Sequence, residues 1–316
     1  IEIIPDRIDD TRKIHEKERA ISAFSGGVDA SFTALLHTKV LPDSLRYPLD
    51  SVVMVHGFDV EVYNMSDFER LTKRVAPILD ELGLELRTIR TNSRELKLQN
   101  WDDSHGLELA ACLNMYRDEF SFGIIGSSDA YNQLNFPWGS TPITDHLMCG
   151  NNFAIIHDGS GFSRTDKVAL IKDFPVACKT LKVCWAGGDQ SGNCGKCEKC
   201  IRTQLNFIAA GASSVPPCFS SVLDIDDIKT LKITTEGKLR MFIDILNRAK
   251  LNNVSGEIFV LLESRVAEWS PPDTTPTVAE KTSGFIKKTA ANAVSAVGLE
   301  TPVKKIWRRF RRALLG

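Results

Sequence analysis

Seven residues near the start of the chain, Ser25-Gly26-Gly27-Val28-Asp29-Ala30-Ser31, bring together two glycines, hydroxyls and a carboxylate. That set suits phosphate. The glycines let a backbone fold tightly and point its N–H groups inward. Asp29 suits a magnesium ion bridging pyrophosphate oxygens, and Ser25 and Ser31 offer hydroxyls to the same group. No Lys-Ser/Thr pair follows, so the loop is not of the Walker type that grips β- and γ-phosphates. A plain turn would use the same residues.

A second cluster is Cys184, Cys194, Cys197 and Cys200, four thiols within seventeen residues, interleaved with Gly187, Gly188, Gly192 and Gly195. Four thiolates close a tetrahedral zinc shell and leave no open position, which makes such a site structural. Four thiolates suit an iron–sulfur cluster as well. Lys196 and Lys199 are placed to offset part of the thiolate charge. The other cysteines, Cys112, Cys149, Cys178 and Cys218, are scattered. This usage points to a reducing compartment, the cytoplasm.

Both clusters need elements to position them. Ile21–Phe24 reads as a buried strand before the glycine loop, and Val28, Phe32, Leu35 and Leu36 give the following helix one apolar face. The end of that helix would add about half a positive charge to the loop. Further along, Ser51–His56 reads as a strand and Asp67–Leu82 as a helix stopped by Gly83, with Phe68, Leu71, Val75, Ile78, Leu79 and Leu82 on one side. Leu84–Ile89 is a strand, Gly106–Tyr116 a helix, Phe122–Ile125 a strand, and Ile155–Gly159 a strand end. Ser163 is a candidate N-cap for a helix through Val168, Leu170 and Ile171. Strands alternating with helices predict an α/β fold, a parallel sheet with helices on both faces. Ligands of such sheets sit beyond the carboxyl ends of the strands, where the winding reverses. The loops at 25–31, 56–59 and 126–132 fall there.

The strand, the loop and the helix together resemble the SGGxDS signature of the PP-loop ATP pyrophosphatases, with Ala30 where that family usually has a serine. Followed by C-x9-C-G-x-C-x2-C and Arg202, the pattern is similar to the 7-cyano-7-deazaguanine synthase (QueC-like) branch over roughly residues 18–210. The resemblance implies a HUP-like fold (adenine nucleotide alpha hydrolase-like), with the zinc structural and close to the substrate pocket. It implies ATP and Mg²⁺ as well. A substrate carboxylate would be adenylated with release of pyrophosphate, and a nitrogen nucleophile would then capture the acyl-adenylate. It assigns ATP binding to Ser25, Gly26, Gly27, Val28, Asp29 and Ser31. It also gives Lys167, helped by Arg164, contact with the ATP phosphates, and it turns Ser128 and Asp129 toward substrate. Trp138 and Asp145 lie in a run, 136–146, rich in groups that shape a pocket, although that run does not follow the synthase's usual recognition segment. His56 and His157 stand at strand ends, where either acid/base or structural use is open. Sulfur insertion into tRNA is the alternative within the same family. A nucleotide sensor without catalysis is the alternative from another class.

The chain is long enough for a full core, and no apolar stretch approaches the ~20 residues that span a bilayer. No signal peptide is visible, and a leader removed before Ile1 stays open. The formal charge of −1 hides an asymmetry, because the six basic groups of residues 301–316 leave −7 on the rest. A body of that sign is a poor general nucleic-acid binder. The expected partners are a small-molecule or peptide carboxylate and an unassigned nitrogen donor. Residues 1–217 are expected to form the nucleotide domain and 218–270 a helical lobe, with Leu239, Phe242, Ile243 and Leu246 in one helical segment and Ile258, Leu261, Leu262, Val266 and Trp269 in another. Residues 271–300 read as a linker, and 301–316 as a basic amphipathic tail. The tail sets Val303, Ile306, Trp307, Phe310 and Leu314 opposite its lysines and arginines, which suits an anionic membrane surface, an acidic partner, or a segment disordered in isolation.

Overall fold

Strand β1 (Ala20–Ala23) occupies the middle of a five-stranded, all-parallel sheet of order β3-β2-β1-β4-β5. The computed structural model describes residues 15–96, 100–134, 136–186 and 188–271. Along the chain follow α1 (Val28–Leu35), β2 (Leu49–His56), α2 (Met65–Leu82), β3 (Glu85–Arg90), α3 (Trp101–Asn114), β4 (Phe122–Gly126), β5 (Ala154–Asp158), α4 (Arg164–Ile171), α5 (Pro175–Thr180), α6 (Glu198–Ala209), α7 (Ile225–Thr230), α8 (Glu236–Leu251) and α9 (Glu257–Ala267). Register is fixed by Ile21 opposite Ser51 and Gly123, and by Ile125 opposite His157.

Alternation along the strands gives each face its own core. Ala20, Val52, Met54 and Ile124 pack with α1, α2 and α4, while Ile21, Val53, Ile125 and Ile155 pack with Leu113 of α3 and Phe120. Two covered faces are what an all-parallel sheet requires. Phe32 and Leu35 of α1 are fully buried, about 1.5–3 kcal/mol each from area removed from water. α2 starts two residues before the expected position because Asn64 caps it, accepting from the Asp67 amide; Gly83 ends it at φ 69°. α3 starts a turn earlier than its apolar spacing suggests, with Asp102 and Asp103 in its first turn.

A separate apolar core joins α7, α8 and α9, and α6 contributes Ile201, Leu205 and Ala209 to it. The buried face of α8 is Phe242, Ile245, Leu246 and Ala249, and Ile243 of the same segment is exposed. The described residues up to Trp269 cluster as one compact unit, and of residues 270–316 only 270 and 271 are described. The expected tail and all but the first residue of the expected linker therefore lie outside the described residues. Among the described residues no helix is long and apolar enough to cross a membrane.

Candidate functional site

The winding of the sheet reverses between β1 and β4, and the glycine loop lies at that point. Gly26 has φ +76°, a backbone conformation open to glycine, and an added Cβ would meet Val75 Cγ1 of α2 at 3.0 Å. Gly27 caps α1, and its N–H donates to Ser25 Oγ at 3.3 Å. The first bond of the helix runs from the Ser31 amide to the Gly27 carbonyl at 2.9 Å. The amides of Val28, Asp29 and Ala30 are thereby left without an intrahelical acceptor, the arrangement that receives anions. Ser25 is half-buried at the mouth of the loop, whereas the Ser31 side chain is enclosed by the fold. β4 reaches the same point: a Cβ on Gly126 would lie 3.0 Å from the Asp29 carbonyl oxygen.

Asp29 is the hub of the site. Its Oδ2 accepts from Arg164 Nη2 at 2.7 Å and its Oδ1 from Lys167 Nζ at 3.1 Å. Ser163 places both cations, capping α4 through a reciprocal pair with Asp166. The Lys167 side chain is 1 % exposed, and its ammonium also donates to the Ser127 carbonyl at the end of β4. Burial pushes the Asp29 carboxyl up, but the charges of Arg164 and Lys167 outweigh it and hold the group below the usual carboxylate range.

Two further cations face this hub from the first turns of α6. Burial, and then the like charge of Arg164, lower the Lys199 ammonium to about 8; it stands 3.6 Å from the Trp185 ring centroid. Arg202 is buried and held by Glu198 at 2.7 Å, with its guanidinium lowered first by burial and next by Arg164. Arg164 Nε and Arg202 Nη1 are buried donors with no hydrogen-bond partner among the described residues. Four cations against Asp29, Glu198 and Asp59 leave one positive charge in excess beside the loop, which draws an anion. Lys199, expected to offset the thiolates, stands among these cations. The signal was there: Lys199 and Arg202 are three apart on one helix face. Lys196, expected to offset the thiolates, instead pairs with Asp224 and Asp227 at 2.9 and 2.7 Å, because it lies on the exposed side of the cysteine loop.

The remaining expected residues are placed as follows. Ser128 is half-buried and Asp129 buried in the loop after β4, next to Ser127. Asp145 is fully buried and its oxygens are engaged by Ser140 Oγ at 2.7 Å, the Thr141 amide at 2.9 Å and His157 Nδ1 at 2.7 Å. It holds its own loop together and orients His157, whose Nε2 is buried without a partner. Trp138 stands edge-on to His105, 5.0 Å between centroids, and its Nε1 is likewise unpaired. His56 is structural, bonded to the Glu61 carbonyl at 2.9 Å and stacked on Phe68.

The four cysteines converge, all their sulfur atoms within 4.8 Å of one another. Cys184 Sγ lies 3.5 Å from Cys194 Sγ and 3.7 Å from Cys197 Sγ, and Cys194 Sγ 3.9 Å from Cys200 Sγ. A tetrahedron with metal–sulfur arms of about 2.3 Å has edges of roughly 3.8 Å, so the group fits one ion. Gly195 turns the chain at φ +80°, where a Cβ would strike the Ser221 carbonyl, and the Cys197 amide donates to Cys194 Sγ at 3.3 Å. Hydrogen bonding with the neighbouring thiols, Cys200 foremost, brings the Cys197 thiol down to about 5.

No protein-family model matches the chain, and no curated protein matches it. Among solved structures the chain aligns with the U34-tRNA thiolase NcsA from Methanococcus maripaludis, described with its [4Fe-4S] cluster. The alignment covers 80% of this chain and 73% of that one, at 14% identity and a TM-score of 0.34.

Proposed function

We propose that the chain is an AMP- and pyrophosphate-forming adenylating enzyme of the PP-loop kind, using ATP to activate a substrate carboxylate for a nitrogen nucleophile. One observation carries this reading. The amides of residues 28–30 open at the β1/β4 reversal beside an Asp29–Arg164–Lys167 ion-pair cluster with surplus positive charge. The loop amides would take the pyrophosphate end of ATP. Arg164, with its unpaired Nε, and Lys199 and Arg202 on the opposite wall, would stabilise charge on the departing group, an effect of several kcal/mol where water is scarce. The carboxylate oxygen attacks the α-phosphorus, the bond from that phosphorus to the bridging oxygen breaks, and pyrophosphate leaves with the electron pair. The nitrogen then attacks the acyl carbon, and AMP leaves with the carbon–oxygen electrons while the nitrogen gives up a proton. Asp29 keeps lone pairs beyond its two ion pairs and would hold Mg²⁺, which would supply positive charge to offset that of the departing pyrophosphate. Cys184, Cys194, Cys197 and Cys200 would hold one Zn²⁺ in a structural role.

Sulfur insertion into tRNA, the activity named for the thiolase, is the second reading, and four thiols beside a nucleotide loop are the feature that favours it. The sulfur separations favour the first, since they fit a single ion with no open position. Burial also pushes Cys112, Cys178 and Cys218 up to about 11, 11 and 12, away from the thiolate form that carries sulfur. The test mixes protein, ATP and Mg²⁺ with candidate carboxylates and an amine source and measures AMP. AMP dependent on a carboxylate supports the proposal, AMP dependent only on tRNA supports the second reading, and nucleotide binding with no AMP under any condition supports a sensor. Asp29→Ala is expected to abolish pyrophosphate release while the fold persists.

A further inference from the structure

Two separate routes join the cysteine cluster to the nucleotide loop. Along the first, the Lys182 amide donates to the Gly26 carbonyl at 2.8 Å, and the Lys182 ammonium donates to the Cys184 carbonyl at 2.6 Å. Asn193, the residue before Cys194, accepts the Val183 and Cys184 amides at 2.7 and 3.1 Å and donates to the Leu181 carbonyl at 2.8 Å. Segment 181–184 is thus held between Gly26 on one side and metal ligands on the other. Along the second route, Cys197 is the N-cap of α6 and Cys200 lies in its first turn, so the sulfur atoms set where Lys199 and Arg202 stand. A buried bond from Thr165 Oγ1 to Asn206 Oδ1, 2.6 Å, ties α6 to α4 next to Arg164.

The charges on the second route work against one another. Lys199, Arg202 and Arg164 act on one another as like charges, with Asp59, Glu198 and Asp29 as counter-charges, and two guanidinium nitrogens have no partner among the described residues. Like charges pressed together push the first turn of α6 away from α4, and ligation of Cys197 and Cys200 opposes that push. An anion placed between them removes it.

We propose that metal loading of the four-cysteine site and nucleotide binding at the loop are thermodynamically linked, each tightening the other. The metal sets Gly26 through segment 181–184 and sets the α6 cations. The triphosphate of the nucleotide, by neutralising those cations, stabilises the same α6 turn that ligation requires. Linkage is reciprocal, so the effect is readable from either side. The inference rests on the nucleotide reading given above.

The experiment uses the zinc-loaded full chain and follows zinc transfer to a chromogenic chelator, with and without a non-hydrolysable ATP analogue, Mg²⁺ being present in both arms. The analogue is expected to slow release about 5-fold or more, within the usual range of site-to-site coupling. Lys199→Met with Arg202→Met, which removes the repelling charges, is expected to release zinc more slowly than the unmodified chain when the analogue is absent, and faster release would overturn the role of those charges. Calorimetry on the loaded protein separates the two ways of failing. If the analogue binds and release is unchanged, the linkage is overturned and the nucleotide site stands. If the analogue does not bind the loaded protein, the nucleotide reading itself is overturned. Because the comparison starts from loaded protein, it decides even where stripped protein unfolds.

Discussion

The Lys167 ammonium and the Asp29 carboxylate meet 3.1 Å apart, the lysine almost wholly enclosed and the aspartate in the first turn of α1. A lysine buried this deeply is tolerated only with its charge answered, and Asp29 and the Ser127 carbonyl answer it. Asp29→Ala leaves that charge and Arg164 without their carboxylate. The variant is expected to lose about 3–5 kcal/mol of stability in denaturant titrations. Lys167→Met, which removes the buried charge itself and leaves Asp29 its Arg164 partner, is expected to lose less. A larger loss in Lys167→Met than in Asp29→Ala would refute the assignment of Asp29 as the compensating charge.

The same cluster predicts an acid limb. The Asp29 carboxyl is held below its ordinary range in the folded protein. Its contribution is therefore fully present above the unfolded value, about 3.9, and is lost as pH falls through the lower folded value. Stability measured against pH is expected to fall on acidification below about pH 4, and the slope is expected to be shallower in Asp29→Asn. An unchanged slope in that variant would place the acid response elsewhere.

Gly26 and Gly211 share a φ near +77° but not their surroundings: a Cβ at Gly26 meets Val75 at 3.0 Å, and one at Gly211 meets nothing within 4 Å. Gly211→Ala is expected to cost about 1–2 kcal/mol from backbone strain alone and to leave nucleotide affinity unchanged. Gly26→Ala adds the clash with α2 and shifts the carbonyl that Lys182 binds. It is expected to be the less stable of the two and to weaken nucleotide binding at least tenfold. Equal affinity in the two variants would show that the loop backbone does not form the binding surface.

What the chain discloses before folding depends on how local the cause is. The apolar run Val52-Val53-Met54 and the spacing of Phe68, Leu71 and Val75 state their burial directly, because strand runs and helix periods act over a few residues. The glycine loop and the cysteine run were legible for the same reason. α8 keeps to the same rule, since Phe242, Ile245, Leu246 and Ala249 recur on one helical face and Ile243 falls off it, and the limit comes where distant segments meet. The site shows this. Arg202 and Arg164 come together through tertiary packing of α6 on α4, and Asp145 finds His157 across a strand and a loop. Charges drawn together by the fold, and buried by it, have no local periodic signature.

The sulfur geometry yields the last prediction. Three sulfur separations of 3.5–3.9 Å match the edges of a tetrahedron around one ion, and no pair exceeds 4.8 Å. Thiolate ligands of a four-iron cluster must instead surround a body several ångströms across. Purified under air, the protein is expected to be colourless with one zinc per chain, and cobalt substitution is expected to give the strong visible bands of a tetrahedral thiolate site. Removing the ion is expected to destabilise more than the neighbourhood of the cysteines. α6 carries Cys200 in its first turn and supplies Ile201, Leu205 and Ala209 to the core of α7, α8 and α9. Structural zinc contributes on the order of 10 kcal/mol in small sites, comparable to the whole stability of a domain. Chelation is therefore expected to melt the helical lobe together with the nucleotide loop in one transition, followed by circular dichroism and by Trp fluorescence. Two resolved transitions would show that α6 does not transmit the effect, and a brown protein with four irons per chain would replace the single ion by a cluster.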